Sequence, residues 1–251
     1  MAKQKGIIKL EGTIGDIAFY KSQDGHLARE KGGVSGDRIK NDATFARTRE
    51  NMDEFGRAGA ATKLLRIAFR QYLLNSADNR LVSRLTKAMM EVVKADATST
   101  RGQRNVLDGE LELLEGFEFN INGNLTSTFY GAIIATIDRA TGALQVAVPA
   151  FSPDVAVVAP EGATHIRLVS AGAAINFEAG NFEVVTSQSP EIPHTSAQVA
   201  ASNLLNQLPA NNPNPLFLVF GIEFYQQVNG ASYALKNGRY NALAIVRVLG
   251  L

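Results

Sequence analysis

No cysteine occurs anywhere in the chain. That excludes a disulfide framework, a thiolate zinc site, an iron–sulfur centre and a cysteine nucleophile. Tryptophan is absent as well. Histidine is scarce: His26, His165 and His194 stand far apart and lack the short spacing of a local metal pair. Long apolar runs are missing too. The stretch LFLVFGI (216–222) falls far short of the roughly 20 residues that span a bilayer. The start, MAKQKGIIKLEGTIGD, is basic but lacks the apolar segment of a Sec signal. The expectation is therefore a chain without a membrane span, cytoplasmic or assembled into a particle.

Motifs of common active sites are missing in the same way. Neither G-x-x-x-x-G-K-[ST] nor G-x-G-x-x-G occurs, and the glycine-rich stretch Gly56–Lys63 sits inside a helical pattern. Gly33-Val34-Ser35-Gly36-Asp37 fails the nucleophile elbow G-x-S-x-G at its fifth position. The EF-hand pattern is also absent. The sequence nominates no catalytic residue, no metal ligand and no cofactor, and the expectation is a non-enzymatic protein.

What is present is ordinary in amount and uneven in distribution. The 251 residues are 45% apolar and 20% charged, as in a globular protein able to bury a sizeable core. The formal net charge of +1 conceals a polarity. Residues 1–105 hold 20 Lys+Arg against 12 Asp+Glu, whereas residues 106–251 hold 5 against 12, with Lys236 as their sole lysine. Such asymmetry points to a charged partner or a partner-facing surface.

Secondary-structure signals change along the chain. Runs 6–10, 17–21 and 26–31 read as short strands, with a hairpin turn at Gln23-Asp24-Gly25. Residues 43–74 read as a helix through Phe45, Met52, Phe55, Leu65, Phe69 and Tyr72. Gly56 and Gly59 within it suggest a kink or a close helix contact. A second helix fits 79–95, with Leu81, Leu85, Met89 and Val92 on one stripe, and the short linker predicts an antiparallel helical pair. From about 116, strand-like runs alternate with turns such as Thr141-Gly142, Ala179-Gly180 and Asn229-Gly230. Residues 198–208 suggest a short helix. The expected fold is α+β: a basic part, 1–115, with a hairpin and two helices, then an acidic antiparallel β-sandwich, 116–251, Ig-like or jelly-roll-like.

Two candidate surfaces follow. The basic one comprises Lys3, Lys5, Lys9, Lys21, Arg29, Lys31, Arg38 and Lys40, with Lys63, Arg66 and Arg70 on the first helix. The acidic one comprises Asp108, Glu110, Glu112, Glu115 and Glu118. Glu110 and Glu112 alternate with Leu111 and Leu113 like a solvated strand face.

The segments KGIIKLEGTIGDIAFYKSQDGHLAREKGG (5–33), FARTRENMDEFGRAG (45–59) and TSTRGQRNVLDGELELLEGFEFN (98–120) resemble a family of uncharacterised bacterial proteins of the Bacteroidota. The resemblance implies a bacterial or phage-like protein and carries no activity or site residue with it. Together these features suggest a structural or assembly subunit, a homo-oligomer joined head-to-tail through its opposite-charge halves. The alternatives are a nucleic-acid-binding module using the basic part, and a β-sandwich adaptor for glycan or peptide.

Overall fold

The computed structural model describes residues 1–22, 24–30 and 32–251. The fold is α+β, and the chain divides into two compact units, Met1–Arg49 and Glu50–Leu251.

The first unit is a small antiparallel sheet followed by a short helix. Strands β1 (Ala2–Lys3), β2 (Gly12–Ile14), β3 (Ile17–Ser22) and β4 (Gly25–Glu30) lie in the order β1-β4-β3-β2. The hairpin between β3 and β4 turns at Asp24-Gly25, where Gly25 has φ 102°. Residues 6–10 form no strand. The Gln4 side chain instead accepts from Leu10 N–H at 2.8 Å and donates to Leu10 O and Leu27 O, folding the segment back on itself. Helix α1 (Gly36–Asn41) is capped by the Ser35 hydroxyl. Asp42 then caps the next turn, accepting from Thr44 N–H at 2.9 Å.

Helix α2 (Ala46–Ala68) carries the chain into the second unit. The single helix expected over 43–74 breaks at Phe69, whose φ of −96° and ψ of 17° leave helical geometry, and α3 (Arg70–Ser76) resumes beyond it. The buried Phe69 ring meets Phe119 edge-on, with centroids 6.4 Å apart. Helix α4 (Leu81–Ala95) buries the stripe Leu81, Leu85, Met89 and Val92. On α2 the buried face is instead made of Ala58, Ala61, Leu65 and Ala68, and the larger Met52 and Phe55 point to solvent. Phe55 shares a groove with Met90 and Lys94, while Ile67 shares one with Leu81, so α2 and α4 run antiparallel.

Nine further strands build two sheets. They are β5 (Ile134–Asp138), β6 (Ala143–Val148), β7 (His165–Asn176), β8 (Asn181–Gln188), β9 (Ile192–Pro193), β10 (Ser202–Gln207), β11 (Leu216–Val228), β12 (Ala231–Ala234) and β13 (Ala242–Leu249). The smaller sheet has the order β10-β6-β5. The larger runs β12-β11-β7-β8, with β13 also paired to β11 and β9 to β7. All of these pairings are antiparallel.

The central strands β7 and β11 are buried on both faces. Val169, Ala171, Ala173, Phe217 and Val219 join the α2–α4 core. Their alternates Leu168, Leu218, Phe220 and Ile222 join Leu144, Val146 and Leu204 of the smaller sheet. The second unit is thus three layers: helices, six-stranded sheet, three-stranded sheet. The compact units divide at Arg49/Glu50, so most of α2, with α3, α4 and the two sheets built from β5 to β13, falls in one of them. The helices share the larger sheet's core, and each fully buried large side chain contributes about 1.5–3 kcal/mol to that sharing.

One local expectation changes, and one strand departs from simple alternation. Residues 202–207 form β10 rather than helix, because Leu204 and Asn206 both turn inward, and the Asn206 amide donates to Ser170 Oγ at 2.8 Å. In β13 a bulge at Val246 shifts the register, so Val248, not Arg247, shares the helix face with Leu243 and Ile245.

Candidate interaction surfaces

The basic residues of the first unit do not share a face. Register sets Lys3 and Arg29 on the side of Tyr20 and Leu27, while Lys21 lies with Ile14, Ile17, Phe19 and Ala28 on the other. The Arg29 guanidinium sits 5.5 Å from the Tyr20 ring centre. Lys5 and Lys9 belong to the folded-back segment, where Lys9 Nζ donates to Gln4 O. Arg38 and Lys40 lie on α1, and Arg38 pairs with Asp42 at 3.2 Å. The backbone and hydroxyl bonds from Thr44, then Arg38, hold the Asp42 carboxyl below its ordinary range. Lys31 lies outside the described residues.

The more telling feature of this sheet is apolar. On the Phe19 side, Ile14 is 63% exposed and Ile17 46%, and Ile7 and Ile8 of the folded-back segment are exposed as well. Among the described residues of 1–49, none is buried. The unit has a paired four-stranded sheet and, among its described residues, no core.

In the second unit, helical spacing brings Lys63, Arg66 and Arg70 to one end of the α2–α4 seam. They line a groove of about 500 Å³ with Ile67, Leu74 and Leu81. None of the three cations has an ion pair or hydrogen bond with a described residue. A second groove of about 610 Å³ follows along the same seam, where Phe55, Val82 and Met90 meet Lys87 and Lys94.

The acidic candidates are not a strand face. Residues Leu111–Leu114 form a 3₁₀ turn, and segment 116–119 pairs along the outer edge of β13 through Gly116 N–H to Ile245 O and Phe119 N–H to Leu243 O. Their carboxylates hold backbone. Glu112 accepts from Gly250 N–H and Glu115 from Val248 N–H, each at 2.8 Å, and Glu115 also pairs with Arg247 at 3.6 Å. Glu118 accepts from Leu125 N–H at 2.8 Å and Thr126 N–H at 3.2 Å. Burial pushes its carboxyl above the usual range against these bonds. Asp108 accepts from Asn105 Nδ2. Glu110 is exposed at the turn's entry. The cluster closes a sheet edge that would otherwise present open backbone groups.

One polar cluster had no signal in sequence, because its members come from three strands and a turn. On the helix-side face of the larger sheet, Arg167 donates to Tyr225 Oη at 2.9 Å and to Glu191 at 2.8 Å. Tyr225 donates to Glu223 at 2.7 Å, and Ser232 to Glu191 at 2.5 Å. Burial, then the bond and charge of Glu223, push the Tyr225 hydroxyl well above its ordinary value. A phenol held protonated between the Arg167 guanidinium and the Glu223 carboxylate serves as a tie between strands rather than as a base.

The histidines stay apart in their bonding. His26 lies 3.8 Å from Glu11, His165 contacts Thr164, and His194 Nε2 contacts Val157 O. Among the described residues no group of three His, Asp or Glu is placed to hold a metal ion, and no helix is long and apolar enough to cross a membrane. Comparison with protein-family models, with curated proteins and with solved structures finds no match.

Proposed function

We propose that this chain is a non-enzymatic assembly subunit, in a phage-like or cell-structural role, whose N-terminal sheet joins one copy to the next. The observation that carries the reading is the four-stranded sheet of residues 1–49, in which no described residue is buried. A sheet of this size needs an apolar layer against it to be stable in water. Two copies stacked through Ile14, Ile17 and Phe19 would each supply that layer, a self-complementary two-fold contact. The head-to-tail contact between opposite charges is less supported. Glu112, Glu115 and Glu118 are bonded to their own chain, and the basic residues are spread over both faces of the sheet and the helical seam.

Mass photometry and light scattering at 0.15 M and 1 M salt test the reading. An apolar contact keeps the oligomer at 1 M salt, and an Ile14→Ser, Ile17→Ser double variant is monomeric at the same concentration. A contact between opposite charges would dissociate at 1 M instead. A wild-type monomer at tens of micromolar under all conditions overturns the assembly reading.

A further inference from the structure

The outer seam of α2 and α4, from Phe55 onward, lies in the second unit. Its apolar residues face water: Phe55 is 58% exposed, Ile67 44%, Val82 48% and Leu74 70%. Large apolar side chains grouped along one helix seam mark a contact surface. The side of α2 that bears them also bears Gly56 and Gly59. In a helix interior each glycine costs stability relative to alanine, a cost usually explained by a close contact. Here a Cβ on either would meet nothing in the chain. Both glycines have helical φ, so neither is required by the backbone. Gly59 lies one turn from Phe55 of one groove and one turn from Lys63 of the other, where α2 offers only backbone to whatever lies on it.

The unpaired charge on the seam is of one sign. Lys63, Arg66, Arg70 and Lys87 have no acidic partner among the described residues, and the acid lining the grooves, Glu91, is already paired with Lys94 at 3.1 Å. From these observations we infer that the α2–α4 seam binds an acidic amphipathic helix of another protein. Its apolar stripe lies on Phe55, Val82 and Ile67, its backbone approaches α2 at Gly56 and Gly59, and its carboxylates reach the four unpaired cations. This is helix-in-groove recognition, with charge setting orientation and partner choice. The seam is about as long as α4, roughly 22 Å at 1.5 Å per residue, so the occupant needs four turns. A second copy is a poor occupant, because groove against groove repeats the same cations and none of α1 to α4 is an acidic amphipathic helix.

The test is selection from a displayed library of sixteen-residue helices with leucines at i, i+3, i+4 and i+7 and randomised charged positions. The full-length protein is the target, and binders are measured by fluorescence anisotropy. Enriched peptides should be net acidic, and their affinity should fall at least tenfold in Phe55→Ser, in Lys63→Glu/Arg70→Glu and in Gly59→Leu. Gly59→Leu is the sharpest variant, since it adds a side chain on the seam without removing any contact, and thermal melting confirms that it stays folded. The inference is overturned if no clone binds below 100 μM, if enriched peptides are neutral or basic, or if Phe55→Ser and Gly59→Leu bind as wild type does. A twenty-nucleotide oligothymidine that binds through the cations alone, insensitive to Phe55→Ser, overturns it in favour of nucleic acid.

Discussion

Residues 17–30 and residues 216–249 are both antiparallel β-structure built on paired strands. They differ in what lies on their faces. Phe220 and Phe217 of β11 are fully buried on opposite sides, one under the smaller sheet and one under the helices. Phe19 of β3 is half-buried, and its neighbours Ile14 and Ile17 face water. A paired strand exchanges water bonds for strand bonds at little net gain, while burial supplies most of the stability. The second unit therefore stands on its own packing, and the first needs an outside surface.

The comparison breaks most sharply if removing a phenyl ring costs the same in both places. Phe220→Ala should lower unfolding stability by about 3–5 kcal/mol in urea titration, because it empties a site enclosed on all sides. Phe19→Ala, at a concentration where the chain is monomeric, should change that transition by less than about 1 kcal/mol.

A middle-sized effect tests whether polar burial follows the same division. Asp96 is buried in the second unit and accepts from Thr98, Ser99 and Asn105 N–H. Burial alone would raise its carboxyl, but the backbone bonds prevail and hold it far below the ordinary value. Its contribution is then present above the unfolded-state value of about 4 and is lost as pH falls toward the folded one. Asp96→Ala should cost about 1–3 kcal/mol at pH 7. The difference between wild type and variant should shrink between pH 4 and pH 2. In the first unit, Asp42 has a similar set of bonds but is only half-buried, and Asp42→Ala should show no comparable loss in the global transition.

The smallest effect has the opposite sign. Gly59→Ala should stabilise the second unit by about 0.5–1 kcal/mol, read as a rise in melting temperature, because the added methyl meets nothing and the helix gains propensity. A loss of stability there would mean that the glycine serves the fold and not an approaching surface.

Much of this architecture was legible in residue order where one period dominates. The α4 stripe, the Asp24-Gly25 hairpin and the Asn229-Gly230 turn, with φ of 51° and 80°, follow directly from local chemistry. Strand β11 was legible as a central strand because it is apolar on both faces at its start. Helix α2 was misleading, since its buried face is built from alanines and its large apolar residues are on the outside. Strand β10 read as helix because a buried asparagine, Asn206, stands where alternation calls for an apolar residue. For the surfaces, Lys63, Arg66 and Arg70, expected on one helix, line one groove. Spacing could not show that Glu112, Glu115 and Glu118 turn back onto backbone more than a hundred residues away or a few residues ahead.

Hydrogen exchange measured as a function of protein concentration tests the central claim most directly. In dilute solution the amides of residues 17–22 and 25–30 should exchange rapidly, while those of β7 and β11 remain protected. As concentration rises, protection should grow in the first unit alone, with half-protection at the concentration where mass photometry records the oligomer. Protection of residues 17–30 that is already complete in dilute monomer would contradict the account, because the sheet would then be covered by its own chain.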